Sequence, residues 1–375
     1  MCASAQRQTD GSSKPIRKTS RRVLALSRLA AIALAIALFW PPGSGLAQER
    51  APGERSTPAT ALRQINIGFV RHAYGTWTAQ IADGGFEKAT GRSLRWYPYD
   101  SDSAVMAALA GGRLEIALVG TGVVASALAR GLELKLFYVL VGSTESEGMV
   151  MSPDSVFRFA EPKTLQSKVI AVPYGSAAHL RLLESLRRWG LAVSSMRIVN
   201  LQSKQIAEAW QRKEIDAAVV SEPLLSKLGE QGRLIPLPAP GGHTGLLVYV
   251  AAADFVAQHI VFLSRFVDVM SRADAAFTGA GGPIDDTRAE VRSIAFMTGL
   301  EPAEVIAAIA RYRPPALDVQ ASAMWLGGGA ESALLAELKA NADTWRWGGR
   351  LTGPQADLSG VLAREPVAMA LTYQR

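Results

Sequence analysis

Cysteine is nearly missing from this chain: of 375 residues only Cys2 is one. Disulfides, zinc-thiolate sites and thiol nucleophiles are thereby excluded from any mature form that has lost its N-terminus. Histidine is scarce as well, with His72, His179, His243 and His259 in unrelated segments. There is no H-E-x-x-H, no P-loop and, outside the first 47 residues, no G-x-S-x-G elbow. These absences lower the case for catalysis, although a triad assembled in space needs no local motif. Surplus charge is also lacking where it would matter. The net charge is +7, but residues 1–47 hold seven of the 40 basic residues and one of the 33 acidic ones. The remainder is nearly balanced, so no nucleic-acid surface is expected.

What is present begins with an export signal. Residues 1–47 have a basic start, an apolar run at Leu29–Trp40 and a small-residue site at Gly45-Leu46-Ala47. Cleavage is expected near Ala47 and the mature protein in the periplasm. The apolar run is short for a span of about 20 residues. Ser20-Arg21-Arg22-Val23-Leu24 resembles a twin-arginine signal, and a chance arginine pair reads equally well. Residues 48–63 mix Pro, Ser, Thr and Arg without period and read as a loose tail.

From Ile65 onward strand and helix alternate, which predicts an α/β fold with mostly parallel sheets flanked by helices. Expected strands are Ile65–Val70, Leu94–Tyr99, Glu115–Val119, Leu134–Val139, Val169–Val172, Arg197–Leu201, Ala217–Val220 and Gly245–Ala252. Ser103 is the expected cap of an Ala104–Ala110 helix. In VIAVPYGSAAHLRLLESLRRWGL, Pro173 ends a buried strand and Ser176 caps a helix from Ala177. Gln205–Arg212 is a further helix. Val105–Gly120 and Ile206–Ser221 echo each other without gaps, with Glu115 meeting Asp216, as two related lobes would. Helices then dominate: one long pattern over Phe255–Phe277, then Thr287–Thr298, Pro302–Tyr312 and Glu331–Trp345. Trp325, Trp345 and Trp347 read as packing residues. Residues 348–375 cannot be placed.

Gly120-Thr121-Gly122 fits the dinucleotide pattern G-x-G-x-x-A weakly, because no acid follows at the end of the next strand. The alternatives are a tight turn and an anion site of free amides plus the Thr121 hydroxyl. Ser176 is likewise either a plain cap or part of an anion site. Ligands in open α/β sheets sit beyond the carboxyl ends of the strands. That rule selects Arg71–Thr76, Asp100–Ser103, Gly120–Gly122, Pro173–His179 and Ser221–Pro223.

The segments IAVPYGSAAHLRLLESLRRWGL, IVNLQ, AEAWQRKEIDAA, the closing Pro223 and, upstream, YDSDSAVMAALAGGRLEIALVG resemble the taurine, aliphatic-sulfonate and nitrate solute-binding family of ABC importers. The resemblance runs, with gaps, from about Ile65 to the region of Leu317. It implies a two-lobed periplasmic-binding-protein fold of type II with a cleft between the lobes. Residues 64–142 and 246–347 would form one lobe and 143–245 the other. It implies a small anionic or zwitterionic ligand, a permease and ATPase in the inner membrane as partners, no cofactor and a monomer. Ligand-binding positions would be His72, Tyr74, Ser101, Thr121, Gly122, Ser176, His179 and Glu222. His179 is either a neutral ligand contact or a supporting histidine. Glu222 either meets an ammonium or hydroxyl of the ligand or is a surface carboxylate near the hinge. The chain departs from the taurine pattern at Ser221, Glu222 and Leu247, where relatives tend to have an aromatic, a small residue and a nearby acid. Two other readings are a same-fold enzyme like the pyrimidine-precursor synthases, whose His- and Cys-rich segment this chain lacks, and a sensory binding module.

Overall fold

The computed structural model describes residues 64–374, except 71–72, 74, 143–146, 159–160, 223, 239–245, 280–283, 330 and 354. The expected leader, the 48–63 tail, His72, Tyr74 and Pro223 lie outside the described residues. The strands are β1 (Gln64–Val70), β2 (Ser93–Tyr99), β3 (Ile116–Gly120), β4 (Leu134–Gly142), β5 (Glu147–Met151), β6 (Val169–Val172), β7 (Arg197–Asn200), β8 (Ala217–Ser221), β9 (Arg233–Ile235), β10 (Leu246–Ala252) and β11 (Tyr312–Arg313). Helices before the return strand are α1 (Thr78–Ala82), α2 (Gly85–Thr90), α3 (Asp102–Ala110), α4 (Thr121–Ala129), α5 (Ala177–Arg188), α6 (Ser203–Gln211) and α7 (Leu224–Gly229). After it come α8 (Ala253–Gln258), α9 (Ile260–Gly279), α10 (Ala289–Thr298), α11 (Pro302–Arg311), α12 (Leu317–Gln320), α13 (Ala333–Trp347) and α14 (Glu365–Tyr373).

Two sheets result, ordered β11-β4-β10-β3-β1-β2 and β7-β6-β8-β5-β9. In each, the first three αβ-connected strands are parallel: β1 lies between β2 and β3, and β6 between β7 and β8. The strand that enters from the other sheet runs antiparallel beside the third, β10 against β3 and β5 against β8. This is the periplasmic-binding-protein fold, with the chain passing between lobes twice. Both sheets are mixed, the expected parallel strands being flanked by antiparallel ones.

Alternation builds the second lobe. Met149, Met151, Ile170, Val172, Ala217 and Val219 face α5, with Leu182 and Leu186, in one core. Val150, Ala171, Ala218 and Val220 face α6 and α7 in another. That is the period of two expected of strands covered on both sides. The first lobe has one larger core, to which α5 also contributes Leu180 and Leu183. Phe266 of α9 is fully buried there and packs against Phe86, Trp96, Phe137 and Tyr249.

Several local expectations need correction. Ser101, not Ser103, caps α3; its backbone is extended (φ −156°, ψ 152°) and its hydroxyl accepts from the Ala104 amide. The Phe255–Phe277 pattern is two helices broken at His259 (φ −126°, ψ 30°). Trp325 and Trp345 are buried, but Trp347 is 38% exposed. The segment that patterning does not place, 348–375, ends in α14, which packs on α9 and buries Val367 and Ala370.

Replacing Phe266 with Ala is expected to cost about 3–5 kcal/mol of unfolding free energy, as for other buried aromatic truncations. A urea melt losing less than about 1 kcal/mol would contradict its place at the centre of the aromatic cluster.

Candidate functional site

The helix α4 starts directly where β3 ends, and four residues separate β6 from α5. Their first turns, at Thr121–Val123 of one lobe and Ala177–Leu180 of the other, line a common cavity of about 60 Å³. A water needs about 10–15 Å³ of such space. The cavity therefore holds several waters or a ligand of a few heavy atoms.

Glycine sets the lobe spacing. A Cβ on Gly122 would stand 2.9 Å from Leu180 Cδ2, inside contact distance. At the rim, Gly175 (φ +78°) takes a conformation that L side chains rarely adopt, and a Cβ there would lie 3.4 Å from Ser103 Cβ across the cleft.

Charge is concentrated on the cavity wall. Asp102, Glu147, Glu184 and Glu337 all line it, with Arg181. Asp102 is buried, and its Oδ1 accepts from the Gly120 amide at 2.9 Å. Burial raises its pKa against that hydrogen bond. Glu337 comes from α13. Its Oε1 accepts from Asn341 Nδ2 at 3.2 Å and from Thr121 Oγ1 at 3.5 Å, and Asn341 Nδ2 also donates to Thr121 Oγ1 at 3.1 Å. Burial, with a smaller push from Glu184, raises the Glu337 carboxyl to about 7. Arg181 is only 8% exposed, and burial pulls its guanidinium below the ordinary value against Glu184 and Glu147. Burial likewise raises Glu184.

The positions named from sequence divide. Thr121 and Gly122 line the cavity. Ser176 caps α5: its hydroxyl accepts from the His179 amide at 3.1 Å and donates to the Pro173 carbonyl at 2.6 Å. It is not among the cavity-lining residues, whereas the adjacent Ala177 is. Ser101 caps α3 beside Asp102. His179 is buried, stacked on Tyr174 at 4.7 Å and edge-on to Trp345 at 5.1 Å. Its Nδ1 accepts from the Gly175 amide, which leaves the proton of the neutral ring on Nε2. Burial, then the charge of Arg350, holds its pKa down at about 4. Glu222 turns to the helix that follows it, accepting from the Ser226 amide and hydroxyl, and it does not line this cavity. Sequence reasoning selected the Asp100–Ser103 corner without naming Asp102, and it missed Glu147, Arg181, Glu184 and Glu337. One signal existed: Arg181 interrupts a run in which Leu180, Leu182 and Leu183 are all apolar.

Among the described residues, no group of three or more His, Cys, Asp and Glu side chains is placed to hold a metal, and no helix is long and apolar enough to cross a membrane.

Comparison with known proteins gives the following. A family model described as NMT1/THI5 like matches residues 79–278. The taurine-binding periplasmic protein of Escherichia coli (strain K12) is 33% identical over 205 residues, 54% of this chain and 62% of that protein, less than two thirds of its length. The alkanesulfonate-binding protein SsuA from Xanthomonas axonopodis pv. citri, bound to MOPS, superposes with a TM-score of 0.62 at 20% identity, over 82% of this chain and 97% of that one. The desulfurization enzyme DSZB superposes with a TM-score of 0.52 at 15% identity, over 83% and 99%. These structural likenesses show the fold.

The raised carboxyl of Glu337 has a stability consequence. Between about pH 4.5 and 7 the folded chain keeps a proton that the unfolded chain has released, so this group's contribution falls as pH rises through that window. His179 acts oppositely between about pH 4 and 6.5, since the folded chain there binds fewer protons. Glu337→Gln removes only the first effect. The variant's stability advantage over the parent should grow from pH 4.5 to 7 and then level off, by on the order of 3 kcal/mol. Paired thermal melts with a difference independent of pH would show that Glu337 ionises normally.

Proposed function

The chain belongs to the NMT1/THI5-like family, and on that premise we propose that it is the exported solute-binding component of an ABC importer. It captures a small sulfonate-like anion or zwitterion, taurine or an aliphatic sulfonate, between its lobes. It then delivers the ligand to the permease and ATPase subunits of the inner membrane. The supporting observation is the cavity formed jointly by the first turns of α4 and α5, one from each lobe. A ligand there gains contacts to both lobes only when they are closed, so binding favours closure. A periplasmic location is supported by the leader-like residues 1–47 and by the location named for the taurine-binding relative. No covalent step is invoked. The ligand-binding role proposed for Thr121 and Gly122 rests on their place in the cavity wall. For Ser101, Ser176 and His179 it rests on their nearness to that wall.

Isothermal titration against taurine, alkanesulfonates and nitrate should give 1:1 binding of at least one. Gly122→Val should weaken that binding about tenfold, the usual scale of overpacking, because its side chain would press on Leu180. Absence of binding across the panel by a folded protein would refute the reading. A mass-shifted product on incubation would move it to an enzyme of the same fold.

A further inference from the structure

The turn that ends α13 reaches across the cleft. Gly348 and Gly349 follow the helix, and Gly349 is left-handed (φ +67°). Its amide donates to the Arg346 carbonyl at 2.9 Å, and the Arg350 amide donates to the Trp345 carbonyl at 2.8 Å. Those two bonds make a Schellman turn, which fixes the direction in which Arg350 leaves the helix. Trp345 before it and Leu351 after it are both buried in the core of the first lobe. Arg350 is therefore anchored on either side to that lobe. Its guanidinium, however, lies 4.0 Å from the ring centroid of Tyr174, which follows β6 in the second lobe.

Tyr174 is held as firmly on its own side. Its amide donates to Asn200 Oδ1 and its hydroxyl to the Ile198 carbonyl, both at 2.9 Å, and its ring stacks on His179. His179 meets Trp345 edge-on, and Gly348 closely approaches Leu183. Trp345, His179 and Leu183 are at most 3% exposed, so parting the lobes here would wet apolar surface. The Arg350 cation over an aromatic face adds to that resistance. Not one of Tyr174, His179, Leu183, Trp345, Gly348 and Arg350 lines the interlobe cavity. These contacts therefore need no ligand to form. We propose that the end of α13 and its turn are a latch, which holds the two lobes together before a ligand binds. Entry to the cavity then waits for the latch to open, whatever the solute.

Distances between two spin labels on the full chain, with no ligand added, test the latch. Cys2→Ser removes the one native cysteine, and labels go on through Arg113→Cys in the first lobe and Lys204→Cys in the second, both exposed positions. The labelled parent should show mainly one separation, that of the two positions in the structure. Arg350→Gln should lower the ratio of this closed form to longer, open separations about two- to fivefold, the scale of an exposed cation–π contact. Tyr174→Ala should lower it further, and Tyr174→Phe, which keeps the ring, should leave it near the parent's. Circular dichroism and a cooperative melt confirm that each variant folds. A parent that is mainly open overturns the proposal. So does a ratio unchanged in both Arg350→Gln and Tyr174→Ala, or one that falls as far in Tyr174→Phe as in Tyr174→Ala. Stopped-flow mixing with taurine, ethanesulfonate or nitrate reads the gating. For a solute that binds, the observed rate should level off as concentration rises, at a plateau that Arg350→Gln raises by about the same two- to fivefold. A rate that climbs linearly in both proteins overturns the gating. If none of the three binds, the sulfonate reading falls and the label distances still decide the latch.

Discussion

A guanidinium held almost wholly out of water, beside the carboxyl of Glu184, is the constraint on which this cleft depends. Moving a charge from water into a protein interior costs several kcal/mol even after relaxation, and only good geometry recovers it. Arg181 is kept there by its helix. Positions 180 and 183 of α5 enter the core of the first lobe, and 182 and 186 enter the core of the second. With both sides of the helix clamped, the sector left for 177, 181 and 184 is the cavity.

The second structural dependence is α13. Glu337, Asn341 and Trp345 recur at intervals of four on one face of it. The first two hold Thr121, and the Trp345 indole donates to the Gly122 carbonyl at 2.8 Å. Across the cleft, Trp345 meets His179 edge-on, and a Cβ on Gly348 would stand 2.6 Å from Leu183 Cδ1. A helix far along the chain is thus seated on the first turn of α4 and on α5 together. Any relative movement of the lobes must carry these contacts or break them. Ligand contacts that favour closure therefore act with the Trp345–His179 and Gly348–Leu183 packing, not against empty space.

The frame of the protein was legible where local physics decides it. Val169–Val172 is an apolar, β-branched run stopped by proline, and it is a strand. Ser176 follows a turn and precedes an apolar period of helix, and it is a cap. Where two residues have equal local standing, the choice of Ser103 as the cap fails: Ser101 and Ser103 flank Asp102, and the extended backbone at Ser101 makes it the cap. The charged wall was illegible for a different reason. Its members come from four separate segments, at 102, 147, 181 with 184, and 337, and no spacing links them. Periodicity marks which apolar residues are buried; it does not distinguish a charge on a solvated face from one pointing into a cleft.

The internal echo explains how a shared frame can carry an unshared wall. Glu115 and Asp216, matched in the ungapped comparison, do the same work in the two lobes. Glu115 Oε2 accepts from the Asn66 amide near the head of β1, and Asp216 Oδ2 from the Val169 amide at the head of β6. Both sit one residue before their own strand, β3 or β8, and tie it to the middle strand of its parallel trio, β1 or β6. That bond belongs to the strand ends opposite the cleft. The carboxyl ends differ: β3 opens onto Asp102 and the Glu337 of α13, whereas β6 opens onto Arg181 and Glu184. Repetition fixes the scaffold, and the chemistry lies in what each lobe adds at the cleft ends of its strands.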